Sequence, residues 1–332
     1  MPMYNEFQKN RYLESSDFKF EESVKDVVKR LFEGAAKIEL QENCDLSLFN
    51  RSQVINLLKG YNSKSKNYLR LIVNQFSYYY TWCLSEGLVD NTNIINQYDY
   101  NLTKPIIDDI VTLDIIRDKY FLVDYFLDNV YKNEKIDITD KYIFYALFSG
   151  ICGIEFSDLI NLRLDDINKK RKVVNLISGK ILKVDDIFIE LAEEADKSLV
   201  YCPDGIESVN RSKDPDRYKY DESCYILKPC GNRSLNRPIT KMILGTRLRQ
   251  LQKHLNNRFI NGGSIYFNGM VNFIKNKFES EGITLRQAVF EKRNKLSYVY
   301  NDKLQEYINE FGSNMIDRAF RAKIVDIIEL YE

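Results

Sequence analysis

The residues of this 332-residue chain best suited to chemistry are cationic, and they are grouped. From Leu46 to Ser85 there is no Asp or Glu, while Arg51, Lys59, Lys64, Lys66 and Arg70 stand there. From Ser223 to Phe278 there is again none, against Lys228, Arg233, Arg237, Lys241, Arg247, Arg249, Lys253, Arg258, Lys275 and Lys277. Net charge is zero, so all 48 acidic residues lie outside two stretches that hold fifteen of the 48 basic ones. A solvated face normally mixes both signs to limit self-repulsion. Excluding acid suits a polyanion, because each phosphate neutralised releases condensed counterions and a nearby carboxylate opposes that. The pattern therefore predicts nucleic acid as partner.

Other chemistries lack their residues. His254 is the only histidine, which removes the usual general base and most histidine-ligated metal sites. Cys44, Cys83, Cys152, Cys202, Cys224 and Cys230 contain no CxxC spacing, so neither a zinc site nor a disulfide framework is expected. No GxxxxGK[ST] loop is present, and no GxGxxG follows a strand. The reading is of no cofactor and no metal. No run approaches the ~20 apolar residues that span a bilayer, and MPMYNEFQKN has no signal-like apolar core, so a cytoplasmic protein without a membrane partner is expected.

The elements that must position these cations read as mainly helical. Residues 1–40 hold one amphipathic candidate, Glu21 to Phe32, read as an N-terminal helical extension. Residues 41–100 form a helical unit: a helix over Arg51–Lys59, a polar break, then a longer helix from Lys66 to Ser85 capped by Ser63 or Ser65. In the longer helix Leu69, Ile72, Val73, Phe76, Tyr80 and Leu84 make an apolar stripe. The run Tyr78, Tyr79, Tyr80 and Trp82 suits a core better than base stacking. Residues 88–105, rich in Asn and Asp and ending in Pro105, read as a linker. The third unit is 101–332. It contains a buried helix capped by Thr139 and interrupted by Gly150 and Gly153. RKVVNLI and KILKVDDIFIEL follow as strands flanking an SGK turn, then a basic helix from about Asn236 to Asn257 and three more helices.

This order resembles the tyrosine recombinases, or phage integrases. SKSKNYLRLIVNQFSYYYTWCLSEGLVDNTN is similar to that family's core-binding helix. ALFSGICGIEFSDLINLRLDDINKKRKVVNLISGK is similar to its buried helix, glycine, acidic-apolar helix and lysine-bearing hairpin, and CYILKPCGNRSLNRPITKMILGTRLRQLQKHL to the helix before its histidine and arginine box. The resemblance implies a mainly α, two-domain clamp with a small β-sheet: a helical core-binding domain plus an integrase-like C-terminal domain.

It also implies where catalysis is tested. The family surrounds the scissile phosphate with two arginines, a hairpin lysine and histidines, which stabilise charge as a tyrosine attacks. Here Glu155 falls at the first arginine, upstream of Asp158, and Lys180 matches the hairpin lysine. Phe267 and Met270 fall at the histidine and second arginine, and Gly312-Ser313 stands for the later Gly-His. No tyrosine stands near Phe320 to Ala322, where the nucleophile belongs. The expectation is a protein with no catalytic residues, a DNA-binding regulator of the kind of the recombinase-like repressors of SPbeta-type phages, acting in lysogeny. Double-stranded DNA contacts are expected from Lys64, Lys66, Arg70, Lys180, Lys241, Arg247, Arg249 and Lys253, with Asn67, Arg233, Asn236 and Arg237 reading bases. Two rival readings stand beside it. One is an active integrase with a displaced nucleophile, Tyr331, Tyr307 or Tyr300, served by Arg286, Arg293, Arg318 or Arg321. The other is a helical interaction module whose basic stretches are neutralised within the chain. The resemblance further implies a homo-oligomer joined through the C-terminal helix, where Ile324, Ile327, Ile328 and Tyr331 form an apolar face suited to packing in cis or in trans.

Overall fold

A computed structural model describes residues 3–15, 22–63, 65–90, 100–205, 209, 215–231, 236–290, 297–312, 323–324, 327–328 and 330–331. The chain divides into two compact units, Met1–Ile116 and Arg117–Glu332. The expected divisions at 40 and 100 are thus not where the structure divides it.

The first unit is helical: α1 Glu6–Glu14, α2 Glu22–Glu42, α3 Arg51–Gly60, α4 Lys66–Ser85 and α5 Tyr100–Ile110, with α6 Leu113–Lys119 crossing its end. The first forty residues are no appendage, because their apolar side chains complete this core. The Tyr12 ring lies 5.2 Å from that of Tyr79 and the Phe32 ring 5.0 Å from it, and all three are buried. Lys9 and Glu39 form an ion pair with both side chains fully buried. Asn50 caps α3 with a reciprocal bond to Gln53, and the Ser65 hydroxyl accepts from the Tyr68 amide to start α4. On α4, Tyr79, Tyr80 and Trp82 are core and Tyr78 is half exposed. The expected linker is partly helix: α5 carries Pro105 inside it and Ile107 on a buried position.

In the second unit a turn of helix, α7 Val123–Tyr125, continues into a π-helical stretch, Phe126–Tyr131, and leads to α8 Ile138–Phe148. Nine of the eleven α8 residues are buried, which makes it the axis of this core. Its cap is Asp137, whose side chain accepts from the Thr139 amide, and not Thr139 itself. The short α9 Ser157–Ile160 precedes three antiparallel strands in order β1 Ile167–Asn168, β2 Val173–Asn175 and β3 Ile181–Lys183. Val174 pairs with both Ile167 and Leu182, placing three apolar side chains on one face.

The expected second strand ends early, for Asp185 caps α10 Asp186–Lys197 by accepting from the Phe188 amide. Buried Phe188, Leu191, Ala192 and Ala195 follow the helical period there. The unit closes with α11 Lys241–His254, α12 Gly262–Ser280, α13 Leu285–Phe290 and α14 Ser297–Glu310. No described helix is long and apolar enough to cross a membrane.

Near the C-terminus Ile324, Ile327 and Ile328 are buried, and the Tyr331 hydroxyl donates to the Tyr120 carbonyl at 3.0 Å. The apolar face read as an oligomer contact is therefore covered within the chain.

Candidate nucleic-acid interface

Three pieces of the second unit are tied together around the hairpin turn. Asp158, only 2% exposed, accepts from the Ser178 amide and hydroxyl, both at 3.0 Å, and so fixes the turn. Gly153 makes this approach possible: it sits at φ 72°, and a Cβ there would lie 2.6 Å from the Asp158 nitrogen. Beyond the turn, exposed Lys180 donates to the Gly312 carbonyl at 2.6 Å.

Upstream, Glu155 and Phe156 both adopt left-handed backbone, at φ 54° and 67°, a conformation costing non-glycine residues on the order of 1 kcal/mol each. Two contacts hold them. The Phe156 ring fills the space a Cβ on Gly262 would take, and Glu155 pairs with Lys241 at 2.7 Å. Lys241 also pulls the exposed Glu155 carboxyl below its ordinary range.

Helix α11 separates its residues by the 3.6 period. Met242, Thr246, Arg249 and Lys253 face outward, while Leu244, Arg247, Leu248 and Leu251 face inward. Arg247 is thus a correction: at 3% exposure, on the inward side of the helix, it is out of reach of a DNA backbone lying on the outer face. Its guanidinium donates to the Thr139 hydroxyl at 2.5 Å and the Tyr220 hydroxyl at 3.2 Å, and lies 4.3 Å from the Tyr201 ring centroid. Asp140 stands 3.7 Å away, accepting from the Tyr201 hydroxyl at 3.0 Å. Asp137 completes the cage by accepting from the Thr139 hydroxyl and the Cys202 amide.

Sequence reasoning missed this cage because Tyr201 and Tyr220 come from a stretch without periodicity. Burial pushes the Asp140 carboxyl up to about 7, with Arg247 pulling the other way. A carboxyl whose folded value lies above its unfolded one, ~3.9, contributes stability that is present at acid pH and lost as pH rises through 7. Urea midpoints are expected to fall from about pH 4 to about pH 7 and to level off above that, and Asp140→Asn to flatten that slope.

The other expected contacts divide. Lys66 is also a correction: it is 7% exposed and pairs with Asp108 at 2.9 Å within the first unit. Arg70 is half-buried on α4. Lys64 and Arg233 lie outside the described residues, as does the Asn67 side chain. The Asn236 amide oxygen accepts from the Cys224 amide, which uses up part of its base-reading capacity. Lys241 and Lys253 face carboxylates, Glu155 and, at 3.8 Å, Asp204. Lys228, Lys275 and Lys277 pair with Asp196, Glu279 and Glu310. Among the described residues, exposed Arg237, Arg249 and Arg258 are in no ion pair. These three, with exposed Arg51 and Lys59 of the first unit and, through a carbonyl rather than a carboxylate, Lys180, are therefore among the cations open to phosphate.

At the positions implied for catalysis, Met270 is buried and Phe267 packs at 6.2 Å from the Tyr120 ring with Lys323 over its face. The Tyr307 hydroxyl donates to Glu281 and that of Tyr331 to Tyr120. The Tyr300 side chain, Arg293, Arg318 and Arg321 lie outside the described residues, and Arg286 is exposed.

A helical unit followed by a helical unit with one small antiparallel sheet, bearing a lysine on its hairpin turn, is the arrangement that the resemblance to the tyrosine recombinases implied. The chain belongs to the MrpR family: residues 3–85 match the model of its N-terminal core-binding domain and residues 129–316 that of its C-terminal catalytic domain. Among solved structures it is similar to the Tn1549 transposon integrase (aa 82-397) in complex with circular intermediate DNA, at 10% identity and a TM-score of 0.35 over 94% of this chain and 96% of that one. It is also similar to the integrase from mycobacterium phage Brujita, at 9% identity and a TM-score of 0.31 over 96% of each chain. No curated protein matches the sequence.

Proposed function

We propose that the chain is a sequence-specific double-stranded DNA-binding regulator of the phage-repressor type, on a recombinase scaffold that does not cut DNA. The observation that carries this is Glu155. An exposed carboxylate stands where the resemblance requires a phosphate-binding arginine, and it engages the neighbouring Lys241 as well. Charge of that sign repels the scissile phosphate where transition-state stabilisation needs a donor. Phe267 and Met270, spent on packing, add to it, because several missing members of a site that acts as a unit leave little activity. DNA binding itself is supported by the recombinase-type scaffold and by the outward cations Arg237, Arg249, Arg258 and Lys180.

The test is to incubate the purified protein with genomic fragments at roughly physiological salt, sequence what is retained, and assay the best site for nicks and covalent adducts. A retained sequence without a nick is the expected result. A protein–DNA adduct establishes the active-recombinase reading instead, and no retained DNA at all leaves the interaction-module reading.

Glu155→Gln is expected to tighten binding about fivefold at physiological salt and to steepen the salt dependence by about one phosphate contact, because it releases Lys241. Anisotropy titrations across salt concentrations check this. Arg249→Ala is expected to act in the opposite direction.

A further inference from the structure

We propose that the cleft against the outward edge of α11 is a binding site for a small aromatic carboxylate. The cleft has a volume of about 440 Å³, within the range of small-molecule sites. Tyr201, Tyr218, Met242, Ile243 and Thr246 line it, and two cations stand on its wall, buried Arg247 and exposed Arg217.

The charge argument starts from Arg247. Its guanidinium stays protonated whatever its surroundings, and a buried cation is costly unless an anion stands close. Among the described residues the only carboxylate within 4 Å is Asp140, at 3.7 Å, well beyond the ~2.8 Å of a charge-assisted hydrogen bond. The facing Asp140 oxygen has no hydrogen-bond partner, and the other is taken by Tyr201. Thr139 and Tyr220, which do bond the guanidinium, are neutral. Cys230, also on the cleft wall, remains a neutral thiol, because burial pushes it up to about 11. The protein thus brings a permanent cation to the edge of a cavity without a closely bonded counter-charge.

The shape argument concerns the ligand body. The Tyr201 ring already stacks on the guanidinium, and Tyr218 presents a second ring with the Arg217 guanidinium 4.5 Å from it. Ile243 and Met242 supply apolar wall, and an unbranched thioether adapts to an aromatic ring. Met242 is 77% exposed, so the cleft opens to solvent beside it. A planar acid matches this arrangement: carboxylate toward Arg247, ring between the tyrosines and the methionine.

The site has a consequence that rests on the proposed DNA-binding reading. Met242 and Thr246 lie on the same outward face of α11 as Arg249 and Lys253. A molecule seated against them therefore competes with DNA for that face.

The experiment uses the full chain and fluorine NMR with para-trifluoromethylbenzoate, against the isosteric para-trifluoromethylbenzamide. Saturable broadening of the benzoate line is expected, with the amide at least about tenfold weaker, a difference near 1.4 kcal/mol. Thr246→Trp, which fills the mouth from an exposed position, is expected to abolish benzoate binding while leaving the melting temperature unchanged. Equal binding of acid and amide, no binding of either, or full binding to the Thr246→Trp variant overturns the site. These measurements contain no DNA, so they stand or fall apart from the regulator reading. On a retained DNA site, benzoate is expected to weaken binding of the wild type and not of Thr246→Trp, and an unchanged DNA affinity overturns the competition.

Discussion

Gly269→Ala is expected to destabilise the second unit by more than about 3 kcal/mol, beyond the usual range for overpacking a core. The position lies on α12 where it crosses the end of α8. A Cβ there would stand 1.8 Å from the Phe148 carbonyl oxygen, 2.5 Å from its carbonyl carbon and 2.7 Å from its Cα. All three atoms are backbone, so no rotamer change relieves the clash and the two helices have to separate. Separation is costly because α8 is buried on nearly every side and cannot retreat without opening contacts elsewhere. Gly245→Ala is the control. It is also helical and has nothing within 4 Å of its would-be Cβ, so it is expected to gain about 0.5–1 kcal/mol from helix propensity. Urea unfolding followed by near-ultraviolet circular dichroism reads both. A Gly269→Ala variant as stable as wild type would mean that α8 and α12 do not approach as closely as described.

Legibility in the sequence follows how local the determining physics is. Helices α3 and α4 were readable because their apolar period, the polar break and the Ser65 cap all lie within the segment. The hairpin was readable from its SGK turn. Segment 186–197 misled because Ile187, Phe188 and Ile189 give no period of their own, and the helix is declared by the Asp185 cap and by Leu191, Ala192 and Ala195 further on. The charge pattern was only partly legible, for a different reason. Acid excluded from residues 223–278 along the chain returns in space, through Glu155, Asp140, Asp196, Asp204, Glu279 and Glu310. A count along the sequence cannot register that. Arg247 is the instructive residue, since its signal was present: it follows Leu244 by three and precedes Leu251 by four, the spacing of the core face. Its partners Tyr201 and Tyr220 were beyond reach, because only tertiary structure brings them to α11.

Arg247→Leu is expected to cost about 3 kcal/mol, at the low end of the range for breaking a buried ion pair. The loss has several parts. Thr139 and Tyr220 each lose a donor, Tyr201 loses the cation stacked on its ring, and Asp140 loses the charge that lowers its pKa. Asp140 limits the damage by keeping its proton, as a carboxyl can and a guanidinium cannot. Without Arg247 its folded value rises further, so the pH range over which stability declines extends upward. Arg247→Lys is expected to rescue little, because one ammonium cannot span the fork between the Thr139 and Tyr220 hydroxyls.

The double variant Arg247→Leu with Asp140→Asn separates pairing from packing. If the two side chains stabilise each other, the double costs less than the sum of the singles, since neither partner is left facing an absent one. Strict additivity would mean that Thr139, Tyr220 and Tyr201 hold Arg247 without help from Asp140. The cation would then be still less compensated than its 3.7 Å separation implies.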